Sequence, residues 1–99
     1  MESRFDAKIH DLRTAVVDGP GELDRAVRHA AFSGADVPAE AAALVEKLRR
    51  HAYKVTDGDV DALLDAGWSE DEVFELTVAT ALGEGGRRLA AALDAMEAE

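Results

Sequence analysis

Apolar residues recur at the spacing of an α-helix along most of the chain, and we find no segment with the pattern of a strand, a linker or an internal repeat. Three helices are predicted in the first half. The first covers about residues 3–17 and ends at Asp18-Gly19-Pro20-Gly21, which cannot continue a helix. The second ends at Ser33-Gly34, and the third follows Asp36, its expected N-cap, and continues to Val55. Their apolar stripes are Phe5, Ile9, Leu12 and Val16; Leu23, Ala26, Val27, Ala30 and Ala31; and Ala41, Leu44, Val45, Leu48, Ala52 and Val55.

Two helix-start signals follow. Thr56 and Asp59 have the spacing of a capping box, in which the hydroxyl accepts from an N–H of the first turn and the carboxylate accepts from the N–H of the capping residue. Ser69 and Glu72 repeat that spacing. Between the two boxes, Gly67 is placed to end the fourth helix in the left-handed conformation, with the next residue folding back over the last turn.

The fifth helix is apolar nearly all round from Val73 to Leu82, so we expect it to lie at the centre of the fold. Gly83-Glu84-Gly85-Gly86 follows, where each glycine opposes helix by roughly 1 kcal/mol relative to alanine. The apolar stripe nevertheless keeps its phase through the glycines to Met96, and Arg87-Arg88 would be unfavourable at the start of a new helix. We therefore predict one long helix, approached closely by another backbone at the glycines.

Composition narrows the class of protein. The 99 residues are the length of one domain, and the alanine-rich, aromatic-poor composition favours an all-α fold of about five helices. The formal charge of −10 opposes binding to nucleic acid and to anionic membranes. The chain has neither an apolar run of membrane-spanning length nor a leader pattern, so we expect a cytoplasmic protein. Because it contains no cysteine, thiol chemistry and disulfides are excluded.

Four aspartates between residues 57 and 65 could bind a metal, act as catalytic acids or open a helix. An EF-hand loop starting at Asp57 would require a glycine at Ala62 and a carboxylate at Trp68. Acids at the positive end of a helix dipole favour the structural interpretation. The glycines at 83–86 lack the third glycine and the preceding strand of a dinucleotide-binding turn. We therefore predict no metal and no cofactor.

Three histidines are candidates for proton transfer near neutral pH. His10 and His29 lie at polar or boundary positions without an evident partner, and we expect both to be solvated. His51 lies near the end of the third helix beside Tyr53, and these two are our candidate catalytic residues. The helix dipole alone also favours a histidine at that place.

Three motifs occur in order: a T-D-x-D helix start at Thr56, an A-G-W-S-E-D-E turn from Ala66, and an F-E-L-T-V-A-x-A-L-G helix from Phe74. With them, residues 44–93 resemble the C-terminal half of the carboxymuconolactone decarboxylase and alkylhydroperoxidase-D-like family. The resemblance implies an all-α fold and association through helices into dimers, trimers or hexamers. The peroxidase branch of that family uses a C-x-x-C pair, which this chain lacks.

Two functions are compatible with these observations. The first is a helical homo-oligomer with a binding or structural role and no thiol peroxidase chemistry. The alternative is a decarboxylase or isomerase of a small organic acid, with His51 as acid and base together with Tyr53 or a carboxylate of a neighbouring subunit. An apolar pocket with convergent polar groups would favour the enzyme.

Self-association is predicted from the fifth helix alone. A chain of this size has room for one central helix, but residues 73–82 leave almost no polar side to face water. Helices one to four are too few to cover all of that surface. A second copy should cover the remainder, because soluble monomers rarely expose large apolar patches.

Overall fold

Four short helices pack around the first half of one long helix. The fold is described from a computed structural model, which covers residues 4–97 and, within the first helix, the side chains from His10 onward. The five helices of that range are α1 (Arg4–Asp18), α2 (Arg25–Ser33), α3 (Ala42–Arg50), α4 (Asp57–Asp65) and α5 (Glu70–Glu97). Single 3-10 turns lie at Ala39–Ala41 and Ala52–Lys54. The predicted all-α class is confirmed.

Both predicted capping boxes are present. The Thr56 N–H donates to Asp59 Oδ2 at 2.8 Å, and the Asp59 N–H donates to the Thr56 hydroxyl at 3.4 Å. The Ser69 N–H donates to Glu72 Oε1 at 2.9 Å, and the Glu72 N–H donates to Ser69 Oγ at 3.1 Å. Each box satisfies two N–H groups that have no partner inside a helix, which fixes where α4 and α5 begin.

The turn from α4 to α5 also follows the prediction. Gly67 has a φ of 100°, in the left-handed region that favours glycine. Its N–H donates to the Leu64 carbonyl and the Trp68 N–H donates to the Leu63 carbonyl, both at 3.0 Å, so the last carbonyls of α4 are satisfied. The Trp68 ring packs on the core, and its Nε1 donates to Glu40 at 3.2 Å.

The third helix is shorter than predicted. It does not begin at an Asp36 cap: Pro38 precedes the 3-10 turn, and neither that turn nor α3 has a side-chain N-cap. The helix ends at Arg50 rather than Val55, because His51 adopts an extended φ of −146°. The following 3-10 turn advances the chain by about one turn, so Val55 still reaches the core.

The core lies between α2, α3, α4 and the first half of α5. Its buried members are Leu23, Ala31, Ala41, Leu44, Val45, Leu63, Val73, Leu76 and Ala79. In α1 the structure differs from the predicted stripe, since Val17 is buried whereas Leu12 is 52% exposed. The α1 helix therefore meets the core near its C-terminal end. The side chains of Phe5 and Ile9 lie outside the described residues.

The long helix is continuous through its glycines, as predicted. Gly83 is buried, and a β-carbon there would lie only 2.8 Å from the carbonyl carbon of Phe32 and would overlap the carbonyl oxygen. At Gly85 and Gly86 a β-carbon would have no atom within 4 Å. The predicted close approach is thus confirmed at Gly83 and is wrong at the other two glycines within this chain.

The second half of α5 extends beyond the packed helices. Its last buried residue is Gly83, and every residue from 85 to 97 is exposed. We call residues 85–97 the α5 extension. The principal dimensions are 48 × 28 × 19 Å, and the radius of gyration of 14.7 Å exceeds the value of about 13 Å typical of a domain of this length. No helix of the described range is long and apolar enough to cross a membrane.

Candidate functional site

An apolar groove of about 500 Å³ lies where α1, the end of α2 and α5 meet. Residues of α5 form its floor, among them Gly85, Gly86 and Leu89. Arg13 of α1 and Phe32 of α2 also line it. We call this the glycine groove, because the two glycines remove the side chains that would otherwise fill it.

Charged groups surround the groove at the end of α2. The Arg13 guanidinium lies 4.7 Å from the centroid of the Phe32 ring, a cation–π contact. Arg87 donates to the Phe32 carbonyl at 2.8 Å and forms an ion pair with Glu84 at 2.6 Å. The hydrogen bond from Arg87 holds the pKa of the Glu84 carboxyl below its ordinary value. The groove therefore combines an apolar floor with two guanidinium groups.

Two more arginines hold the helix ends beside the groove. Arg49 Nη2 donates to the carbonyl of Ala35 at 2.9 Å and to that of Ala30 at 3.3 Å. Arg88 donates to the carbonyl of Arg49 at 3.1 Å. Cationic side chains at helix C-termini donate to carbonyls that have no partner within the helix. They also interact favourably with the negative end of the helix dipole. The hydrogen bonds of Arg49 and Arg88 to the main chain therefore give both residues a structural role.

A stripe of large apolar side chains continues from the groove along the α5 extension. Leu89 is 48% exposed, Leu93 is 50% exposed and Met96 is 72% exposed. Their spacing of four and three residues places all three on one face of the helix. Groove and stripe together form one continuous apolar surface on α5. The predicted uncovered surface lay within residues 73–82, where Phe74 is 67% exposed but Val73, Leu76 and Ala79 are buried. The stripe described here lies beyond that range.

His51 and Tyr53 are brought together, but not in a pocket. Their ring centroids are 5.8 Å apart in an edge-to-face arrangement. His51 is exposed, and Tyr53 is 81% exposed. Neither residue lines the glycine groove. A general acid that acts on a bound substrate needs a site that positions the substrate and excludes water. Within one chain both side chains face solvent, so such a site would require a neighbouring subunit.

Within the group of aspartates between residues 57 and 65, Asp59 has a structural role. Asp59 caps α4 and also accepts two hydrogen bonds from Lys47, both at 2.9 Å. The Lys47 ammonium and the Thr56 N–H together hold the pKa of Asp59 below its ordinary value. Asp57 and Asp61 are exposed on the first turns of α4. Among the described residues, no group of three or more carboxylates and imidazoles is placed to hold a metal ion.

The other two histidines differ from each other. His10 is exposed, as expected. The imidazole of His29 is also half-exposed, but it has a partner that the sequence did not indicate, since its Nε2 lies 2.6 Å from Asp18 Oδ1. This contact links the end of α1 to α2. It is an exposed pair of the kind that contributes little to stability.

Sequence reasoning missed two side chains that organise the loop between α1 and α2. Arg28 is 4% exposed and donates to the carbonyls of Val16, Gly19 and Leu23 at distances from 2.7 to 3.1 Å. Glu75 of α5 accepts from the N–H of Leu23 at 2.7 Å. The hydrogen-bond partners of Arg28 and Glu75 are backbone groups at or near an irregular segment. Such partners produce no recognisable sequence pattern. A charged residue within the buried face of α2 was the only available signal.

These two residues also line a second depression of about 130 Å³, together with Phe74 and Val78. It is small compared with the glycine groove, and its polar groups are already hydrogen-bonded to the loop. The glycine groove and the α5 extension are therefore the best-formed candidate for a functional surface. No family model, no curated protein and no solved structure matches this chain.

Proposed function

We propose that the chain functions as a helical homo-oligomer with a binding or structural role, assembled through the second half of α5. The observation that carries the proposal is the continuous apolar surface of the glycine groove and the stripe Leu89, Leu93 and Met96. Apolar surface of this kind on a soluble protein marks an interaction site. A chain of fewer than 100 residues also gains more from a partner than a large domain does, since its own core is small.

The proposal extends to membership of the carboxymuconolactone decarboxylase and alkylhydroperoxidase-D-like family, as a member without thiol chemistry. Its support is the order of the three sequence motifs, together with two capping boxes where the first two motifs lie. Association through helices is what the resemblance implies for this chain. A location in the cytoplasm is part of the same proposal.

The alternative function, a decarboxylase or isomerase, has less support. His51 and Tyr53 are both exposed and lie outside the glycine groove. The alternative is tested by turnover of a small lactone acid. Turnover that is lost in a folded His51→Ala variant would favour the enzyme over the binding or structural role.

Light scattering across a dilution series tests the proposal. The unmodified chain should scatter as an oligomer at micromolar concentration and dissociate on dilution. Leu93→Glu places a charge in the centre of the exposed stripe and should give a folded monomer. Ala91→Glu is the matched control, because Ala91 is exposed on the opposite face of the same turn and the substitution adds the same charge. A monomeric, fully helical unmodified chain would refute the proposal.

A further inference from the structure

The geometry points to a specific arrangement of this assembly. We propose that the glycine groove receives the α5 extension of a second copy, and that the two α5 helices pack antiparallel about a two-fold axis at Leu89. The inference rests on the proposed self-association and adds the partner, the direction and the register. The molecule that binds in the groove is then a second copy of this chain.

The apolar residues of α5 are arranged symmetrically about Leu89. Leu82 precedes it by seven residues and Met96 follows it by seven. Gly85 precedes it by four residues and Leu93 follows it by four. Steps of three, four and seven residues stay on one helix face. An antiparallel pair centred at Leu89 therefore brings Leu93 of each copy opposite Gly85 of the other.

Large and small residues are complementary in this register. A β-carbon at Gly85 would have no atom within 4 Å, so space is available above it within one chain. Leu93 has half of its surface exposed and no packing partner that covers it. Met96 would meet Leu82, a half-buried residue of the groove. Small residues at a helix contact allow close approach, and a large residue opposite them fills the space.

Other registers fit less well. Moving the axis to Leu93 would bring Leu89 opposite Glu97 and would remove Leu93 from its place opposite Gly85. Moving the axis to Gly85 would bring Met96 opposite Phe74, which is 67% exposed, but it would place Leu93 opposite Thr77 instead of the open position at Gly85. The axis at Leu89 covers groove and stripe together.

Charge favours the antiparallel direction. The last turns of α5 carry Asp94 and Glu97, whereas the groove carries the guanidinium groups of Arg13 and Arg87. An antiparallel pair places the acidic turns of each copy at the groove of the other, where Arg13 and Arg87 lie, with Arg87 already paired with Glu84. A parallel pair would bring the acidic turns of both copies together in a chain whose formal charge is already −10.

The α5 extension also needs a partner to be a stable helix. It has 13 residues, all exposed, and begins with two glycines that each oppose helix. In water, helices of this length are marginal without packing of an apolar face. A small organic ligand in the groove would leave Leu93 and Met96 exposed, because both lie outside the groove lining. A second copy covers both.

Disulfide crosslinking of single-cysteine variants tests the arrangement, and the chain has no cysteine of its own to interfere. Under oxidising conditions Leu89→Cys should give a covalent dimer, because Leu89 lies on the axis. Ala91→Cys on the opposite face should not. Leu82→Cys and Met96→Cys should each stay uncrosslinked alone but form a covalent heterodimer when mixed. Light scattering of every variant under reducing conditions confirms that assembly is retained.

The outcomes separate this inference from the proposed function. A parallel pair would crosslink Leu82→Cys and Met96→Cys each with itself, which would overturn the register while self-association stands. An oligomer that crosslinks at none of these positions would place the interface elsewhere. That result would overturn the inference and the assembly surface named in the proposed function, while self-association itself would stand. If light scattering shows a monomer, the inference and the proposed self-association are both overturned, whether or not a small organic ligand binds in the groove.

Discussion

The carbonyl group of Phe32 lies directly against the α-carbon of Gly83, where α2 ends and α5 passes the core. The contact leaves no room for a side chain on α5 at this position. It also places the last turn of α2 at the edge of the glycine groove, so that Phe32 lines the groove. The position of the groove thus depends on one glycine.

Gly83→Ala should therefore destabilise the fold by about 1–3 kcal/mol, because the new methyl group overlaps a backbone carbonyl that cannot move without shifting α2. Gly58→Ala is the matched control in α4, where a β-carbon meets only Thr56 Oγ1 at 3.5 Å. It should stabilise by up to about 1 kcal/mol through helix propensity. Urea unfolding of both variants measures the difference. Equal effects of the two substitutions would contradict the close contact at Gly83.

Arg28→Met should lower the free energy of unfolding by roughly 3 kcal/mol. The substitution keeps the apolar stem but removes the donors to the carbonyls of Val16, Gly19 and Leu23, which are left without those partners. Arg25→Met in the same helix removes an exposed guanidinium and should change stability by less than about 0.5 kcal/mol. If both variants unfold at the same urea concentration, the guanidinium does not hold the loop.

The sequence predicted the parts of this fold that depend on local signals. The capping boxes at Thr56 and Ser69 and the left-handed Gly67 follow from the preferences of neighbouring residues, and all three are present. The end of α3 was predicted wrongly because the 3-10 turn after His51 preserves the helical apolar period. Periodicity alone does not distinguish the two structures.

The candidate site was only partly predictable. That α5 would have uncovered apolar surface followed from its composition, but the groove depends on how α1 and α2 lie against it, which is a long-range relationship. The space beside Gly83 is occupied by the backbone of Phe32, whereas the space beside Gly85 is empty within one chain. This difference also depends on contacts between residues far apart in the sequence. Arg13 was not singled out, because its place beside Phe32 is set by the packing of two helices.

Stability should fall in acid through Asp59. The pKa of its carboxyl is lowered from 3.8 in the folded chain, chiefly by Lys47. A lowered folded pKa adds stability at pH values above 3.8, and this contribution is lost as the pH falls through the folded value. Lys47→Met and Asp59→Asn should each flatten the pH dependence of urea unfolding below about pH 4. An unchanged slope in both variants would contradict this assignment, and an NMR titration of Asp59 measures its pKa directly.

Exchanging bulk between Gly85 and Leu93 tests their proposed contact. Gly85→Leu should leave the monomer folded, because no atom lies within 4 Å of its β-carbon, but it should block assembly. Adding Leu93→Ala removes the side chain that would clash, and the double variant should regain part of the oligomer in light scattering. Leu93→Ala alone should weaken assembly. A Gly85→Leu variant that assembles like the unmodified chain would contradict the contact.

The α5 extension is exposed in one chain, and in the proposed assembly another copy covers it. Amide hydrogen exchange of residues 85–97, followed as a function of protein concentration, reports whether this segment is covered. We expect slow exchange of this segment in the oligomer and fast exchange after dilution to the monomer. Residues 73–80, which the core already buries in part, should be protected equally at every concentration. Exchange of residues 85–97 that is the same at every concentration would contradict this assembly.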